Sequence, residues 1–328
     1  MKYLTNAKKQ TPPKNMYKFI AKVIACLKTS GGGRMTYIIE NVSLYKQNEL
    51  ITTSLLVNNG KILSVQPSFS KYLYMKMNTS NFLMTSTSVY YTDGLPQGVK
   101  TEQVKEYLSS KYIENGCTTV FVSASINDVK NVDHHIREVR NFYDHSPVDY
   151  TIAVKIPIEQ FTVPFVQKCK RKRIPAIFIE FKDKRELYKV PWGWIREALF
   201  PYNSPLIPVL EKEISDKELL LHSWNTILQR EKIPHIQEPI SEQTPLPIDI
   251  LKQIGIYPLK GYLQTGGELS YNLYLNQDNK NTVDSVIQGN ITPTITVHKG
   301  KIVRAGTKVF PNVNQGEEFI INRPAFFK

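Results

Sequence analysis

The chain has 328 residues, 41 % of them hydrophobic, enough for one large domain or two ordinary ones with a conventional core. Its net charge of +13 resembles a nucleic-acid signal, but eight of the 42 Lys and Arg and none of the 29 Asp and Glu fall within the first 34 residues. The remainder carries only an ordinary surface excess. Three widely spaced cysteines, Cys26, Cys117 and Cys169, make neither a disulfide framework nor a metal-binding pattern. No apolar run reaches the roughly 18 residues of a membrane-spanning helix. The expectation is a reducing, cytoplasmic setting, with neither nucleic acid nor membrane as partner.

In chain order, Asn15 to Lys28 can be drawn as a helix with Met16, Phe19, Ile20, Val23 and Leu27 on one face and Lys14, Lys18 and Lys22 on the other. Such a helix could lie on an anionic membrane surface. The favoured reading is different: Ser30-Gly31-Gly32-Gly33-Arg34 before Met35 is what a translated ribosome-binding site gives, so residues 1–34 are expected to be a start-site artefact or a disordered basic extension. Tyr37 to Leu44, Leu50 to Val57 and Lys61 to Val65 then read as three short strands, the last two joined by an Asn-Gly turn.

From Phe82 onward strand-like and helix-like segments alternate. Phe82–Tyr90, Thr118–Ser123, Tyr150–Lys155, Ala176–Glu180, Leu206–Leu210 and the short Pro234–Gln237 read as strands. Between them lie helical patterns, among them Asn127–Tyr143, whose Val129, Val132, Ile136, Val139 and Tyr143 form one apolar stripe. Ser215 with Glu218 makes a capping box. This alternation argues for βα units and a parallel sheet. The stretch to Gly255 is shorter than the roughly 200 to 250 residues of a complete eight-fold barrel with its loops.

The chain then runs through Gly255-Ile-Tyr-Pro-Leu-Lys-Gly-Tyr-Leu-Gln-Thr-Gly-Gly-Glu-Leu-Ser, where Gly255 suits the left-handed position past a helix end. It closes with Thr294-Ile-Thr-Val, a His298-Lys299-Gly300 turn and Lys301-Ile-Val-Arg. The phrase resembles the G-L-Y-P-x-K-G-x-I-x-x-G-x-D-A-D-L by which the dihydropyrimidinase and dihydroorotase branch of the amidohydrolase superfamily leaves its catalytic barrel. Gly255, Tyr257, Pro258, Lys260, Gly261 and Gly266 match, while Glu268-Leu269-Ser270 replaces Asp-Ala-Asp. In that family the phrase re-enters a β-sandwich begun by the N-terminus, so the resemblance brackets the chain from about Met35 to about Val309. It implies an α/β fold in which a shortened or distorted (β/α) TIM-like barrel, residues 82–255, is inserted in a composite β-sandwich domain, residues 35–81 and 256–328.

The family's first barrel strand carries Asp-x-His-x-His, which supplies two metal ligands. Aligned on the apolar lead-in from Phe82, this chain offers Ser88 for the Asp, and Tyr90 and Thr92 for the two His. A zinc-type ion wants imidazole, thiolate or carboxylate, so no metal ligand and no cofactor are expected, although family members would use zinc. The histidines do not restore a site. His134, His135 and His222 fall on helix surfaces or flanks, and His145 and His298 in turns. His235 alone occupies a plausible strand end, where with Glu180, Asp93 and Glu238 it could line a pocket; Lys155 lies near a strand end too.

Gly-rich phosphate loops, nucleophile elbows and Cys-His pairs are absent from the sequence. Lys168-Cys-Lys-Arg-Lys-Arg reads as a solvated helix end. Pro191-Trp-Gly-Trp and Phe200-Pro-Tyr read as buried packing, with an exposed aromatic patch for a protein partner as the alternative. The expected function is therefore a degenerate, dihydroorotase-like member of a metal-dependent hydrolase superfamily: a pseudoenzyme with a binding or scaffolding role, within the homo-oligomer the resemblance implies. The alternative is a hydrolase of cyclic amides or other non-peptide C–N bonds working through a rearranged site.

Overall fold

The structure, a computed structural model, describes residues 36–211, 216–276, 283–286, 289–312 and 316–326. The basic extension, Cys26 and Ser215 of the expected capping box lie outside the described residues. The described residues divide into two units, one of residues 36–88, 105–118, 259–276, 283–286 and 289–312, the other of residues 89–104, 119–211, 216–258 and 316–326.

The first unit is built on one nine-stranded sheet. Strands β1 (Thr36–Lys46), β2 (Glu49–Asn58) and β3 (Lys61–Gln66) form an antiparallel meander. The β2–β3 turn is Asn59-Gly60, both with positive φ, as a two-residue hairpin turn of this twist requires. β4 (Met75–Asn78) pairs parallel to β1. β5 (Phe82–Ser86) lies between β1 and β11 (Tyr271–Leu275), and β12 (Ile295–His298), β13 (Lys301–Ala305) and β14 (Lys308–Val309) continue the sheet. Strands from both ends of the chain thus share one sheet. Their inward residues, including Ile39, Leu55, Met84, Leu273 and Val297, make a single apolar core between the two arms of a sandwich.

The division differs from the expected 82–255 and 256–328: residues 105–118 group with the sandwich, 316–326 with the barrel unit, and the first barrel strand starts later than Phe82. Phe82–Tyr90, read as one strand leading into the barrel, is broken at Thr87. Its first half is β5 of the sandwich sheet, and the barrel unit begins at Val89. The break is fixed by partners distant in sequence: Thr118 Oγ1 donates to Thr87 Oγ1 at 2.7 Å, and the Thr87 N–H donates to the Ser270 carbonyl at 3.3 Å.

The second unit holds a five-stranded sheet in the order β10-β9-β8-β7-β6, where β6 is Ser88–Asp93, β7 Cys117–Ser125, β8 Asp149–Pro157, β9 Ile177–Glu180 and β10 Leu206–Val209. β7 to β10 run parallel and curl into a half-barrel. Helix α1 (Val104–Lys111) follows β6 in sequence but, from Lys105 on, groups with the first unit; α2 (Val132–Tyr143), α3 (Val163–Arg171), α4 (Lys184–Lys189), α5 (Trp192–Leu199), α6 (Lys217–Arg230) and α7 (Ile248–Ile254) belong to the second. The apolar stripe of α2 is buried at Val132, Ile136, Val139 and Tyr143. The expected sixth strand, Pro234–Gln237, is reduced to a parallel bridge between His235 and Leu206. At the other edge of the sheet, Gln243 and Leu246 donate their N–H groups to Tyr91 and Val89 of β6, which covers that edge. Val89, Tyr91, Phe121, Ala153, Phe178, Ile207 and Ile236 fill the concave face, and Gly255 ends α7 with φ 88°. Among the described residues no helix is long and apolar enough to cross a membrane.

Candidate functional site

Side chains alternate along a strand, so the concave face of a half-barrel is read every second residue. One layer above the floor of Tyr91, Phe121, Ala153 and Phe178, the same periodicity gives Asp93, Ser123, Lys155 and Glu180. All four lie toward the C-terminal ends of their strands, where parallel barrels carry their sites. The geometry makes them one network. Lys155 Nζ lies 2.5 Å from Asp93 Oδ2 and 3.5 Å from Glu180 Oε1. Ser123 Oγ donates to the other Asp93 oxygen at 2.8 Å, and the Tyr91 hydroxyl is 3.1 Å from Ser123 Oγ. The backbone N–H of Asp93 donates to Glu242 Oε1 at 2.7 Å.

The burial is graded. Tyr91 and Ser123 are buried, the Lys155 side chain is 13 % exposed, and the Asp93 and Glu180 side chains are 35 % and 42 % exposed. Tyr91 stacks on Phe178 with ring centroids 4.6 Å apart. Its pKa is raised, first by burial and then by the adjacent Asp93 charge, so the phenol stays protonated at neutral pH.

The sequence-selected residues separate into two sets. Asp93 and Glu180 are brought together, with Lys155 between them. His235 and Glu238 are not. His235 sits next to the inward Ile236 and turns the other way, against Trp224 of α6, with ring centroids 6.4 Å apart. Its Nδ1 is 2.9 Å from the Ile233 carbonyl, and burial lowers its pKa. Glu238 is exposed. On β6 the inward residues are Val89, Tyr91 and Asp93, while Tyr90 and Thr92 are buried on the opposite face and Ser88 belongs to that second set. The alignment from Phe82 runs through the break at Thr87, where the alternation of faces restarts. Tyr91, Ser123 and Glu242 were not singled out in the sequence. For Tyr91 and Ser123 the signal was present as alternation with Val89, Asp93 and Phe121; for Glu242, in a loop, no local signal exists.

The donor set does not fit the zinc-type ion that the family resemblance implies. Among the described residues the network contains no imidazole or thiolate. Both Asp93 oxygens are engaged, and a lysine ammonium already supplies the positive charge between the carboxylates.

Other singled-out features have ordinary surroundings. Lys168 Nζ is 2.9 Å from Asp133 Oδ2, Lys172 also pairs with Asp133, and Lys170 donates to the Phe200 carbonyl at 2.7 Å. Trp192 is buried and donates to the Leu187 carbonyl, whereas Trp194 and Phe200 are exposed. His298, expected in a turn, is wholly buried at the end of β12, its Nδ1 3.3 Å from Ser270 Oγ. Lys260 of the Gly255 phrase pairs with Glu268 at 2.5 Å, and Ser270 Oγ donates to the same carboxylate.

Solved structures share this fold. A D-hydantoinase matches with a TM-score of 0.61 at 9 % identity, covering 90 % of this chain and 100 % of that chain. The dihydropyrimidinase from Brevibacillus agri NCHU1002 matches with a TM-score of 0.55 at 10 % identity, with the same coverage of 90 % and 100 %. An adenosine deaminase from Xanthomonas campestris with bound Zn matches with a TM-score of 0.52 at 10 % identity, over 84 % of this chain and 94 % of that chain. No protein-family profile matches the chain, and no curated protein matches it in sequence. The likeness is one of fold: a β-sandwich with a curled, shortened TIM-like barrel.

Proposed function

We propose that this chain keeps the amidohydrolase architecture without metal-dependent hydrolysis and serves as a binding or scaffolding protein. The observation that carries this reading is Lys155, whose ammonium lies 2.5 Å from Asp93 and 3.5 Å from Glu180 at the strand ends. A hydrolytic metal centre needs donors free to converge on a cation, which lowers the pKa of its bound water from about 15.7 toward roughly 7. Here an internal ammonium neutralises the carboxylates, and an ammonium holds no water in that activated state. Similarity of fold does not carry an activity with it. The alternative, hydrolysis of cyclic amides or related C–N bonds through a rearranged site, would need a nucleophile in this layer. The aliphatic hydroxyl of this layer, Ser123, is fully buried and engaged with Asp93.

Protein purified without chelator is expected to retain no divalent metal dependent on Asp93, and to leave dihydropyrimidines, dihydroorotate and hydantoins uncleaved. About one equivalent of zinc or manganese held through dialysis, and lost together with a hydrolase activity in Asp93→Ala, overturns the reading.

A further inference from the structure

We propose that the exposed face of α2 is a divalent transition-metal site formed by His134, His135 and Glu138, separate from the strand-end network and independent of the reading given for it. On a helix, positions three and four apart are neighbours, so Glu138 lies beneath both His134 and His135. Both imidazoles turn the same ring atom to the same carboxylate oxygen: Nδ1 of His134 is 3.3 Å and Nδ1 of His135 is 3.0 Å from Glu138 Oε2. All three donor atoms lie within 4.8 Å of one another. Metal–nitrogen and metal–oxygen bonds of roughly 2.0–2.1 Å put neighbouring ligands about 2.9 Å apart in an octahedron and about 3.4 Å apart in a tetrahedron. The two nitrogen–oxygen separations fall in that interval, and the third pair lies within 4.8 Å.

The charges around the triad leave Glu138 to the imidazoles. Lys168 of α3 and Lys172 just past its end are engaged by the neighbouring Asp133, whose pKa is lowered to about 2, first by hydrogen bonds from those two lysines. Arg140, on the same helix, is held by Glu318 through two hydrogen bonds of 2.7 and 2.9 Å. Arg137 is the charged neighbour on α2 for which such an engagement is not seen, and it adds a modest repulsion to an incoming cation. The triad is open to solvent, with side-chain exposures of 61 % for His134, 28 % for His135 and 49 % for Glu138. An ion there keeps water in its remaining positions and exchanges freely, unlike a closed structural site. Two imidazoles and one carboxylate favour zinc, cobalt, nickel or copper over magnesium or calcium.

The test is titration of the full-length, untagged chain with Co(II), followed by visible absorption, and with Zn(II), followed by calorimetry. One site is expected. His135→Ala and Glu138→Gln should each weaken it by about 10- to 100-fold. His134→Ala/His135→Ala should abolish it with the far-ultraviolet circular dichroism unchanged, and Lys155→Met should leave it intact. Absence of Co(II) and Zn(II) uptake by the wild-type chain overturns the proposal. So does wild-type affinity in the double variant, or loss of binding in Lys155→Met.

Discussion

Lys155 is the residue on which the strand-end network depends. Removing one partner of a fully buried ion pair costs about 3–5 kcal/mol, but exposed pairs are worth about 0–1. With the Lys155 side chain 13 % exposed and its carboxylate partners 35 % and 42 % exposed, Lys155→Met is expected to cost on the order of 1 kcal/mol. Adding Asp93→Asn should recover part of that loss, because the variant no longer leaves a carboxylate unpaired. Urea unfolding of the two single variants and the double variant measures it; strictly additive losses would show that the two side chains do not interact. Tyr91 gives the layer a pH dependence. Its folded pKa is raised by burial and by Asp93, so its contribution is complete below the unfolded tyrosine value of about 10. It is lost as pH rises from there toward the folded value, because the unfolded chain releases the proton first. Tyr150 and Tyr274, both pushed up to about 12 by burial, act in the same direction. Tyr91→Phe should therefore flatten, without removing, the fall in stability between pH 9 and 11. An unchanged slope in denaturation at those pH values would contradict the assignment. Asp93, Glu180 and Lys155 were visible in the sequence as polar residues near strand ends. The outward turn of His235 was not, because one residue of register decides which face a side chain takes.

Among the elements, the hairpins were the most legible. Asn59-Gly60 and His298-Lys299-Gly300 are local signals; the first turn forms where it stands, and the second forms at Lys299-Gly300 with His298 taken into β12. Their meeting is a tertiary fact. A Cβ on Gly60 would fall 2.6 Å from the Lys299 carbonyl oxygen, and one on Gly300 would fall 2.7 Å from Gly60 Cα. Gly60 also has φ +70°, a conformation other residues enter at a cost. Gly60→Ala is expected to destabilise the protein by about 1–3 kcal/mol, read as a lower denaturant midpoint. A variant with the wild-type midpoint would mean that the two turns part easily. The break between β5 and β6 had no local marker: Phe82–Tyr90 contains no Gly or Pro, and the kink at Thr87 is held by Thr118 and Ser270. The loss of a sixth strand was likewise invisible, since Pro234–Gln237 falls where the alternation calls for a strand but forms one bridge.

For the molecule as a whole, the sequence by itself determined the class of fold: strand–helix alternation for the barrel, paired hairpins at both ends for the sandwich, and the Gly255 phrase where one gives way to the other. It also determined that the His-x-His pair is missing, because that is a matter of residue identity. These features are written in short windows, through backbone preference and hydrophobic period. Tertiary structure decided which strand belonged to which sheet, and that Asp93, Ser123, Lys155 and Glu180 meet. Each of those outcomes depends on register and on side chains brought together from distant positions, and no local window contains both partners.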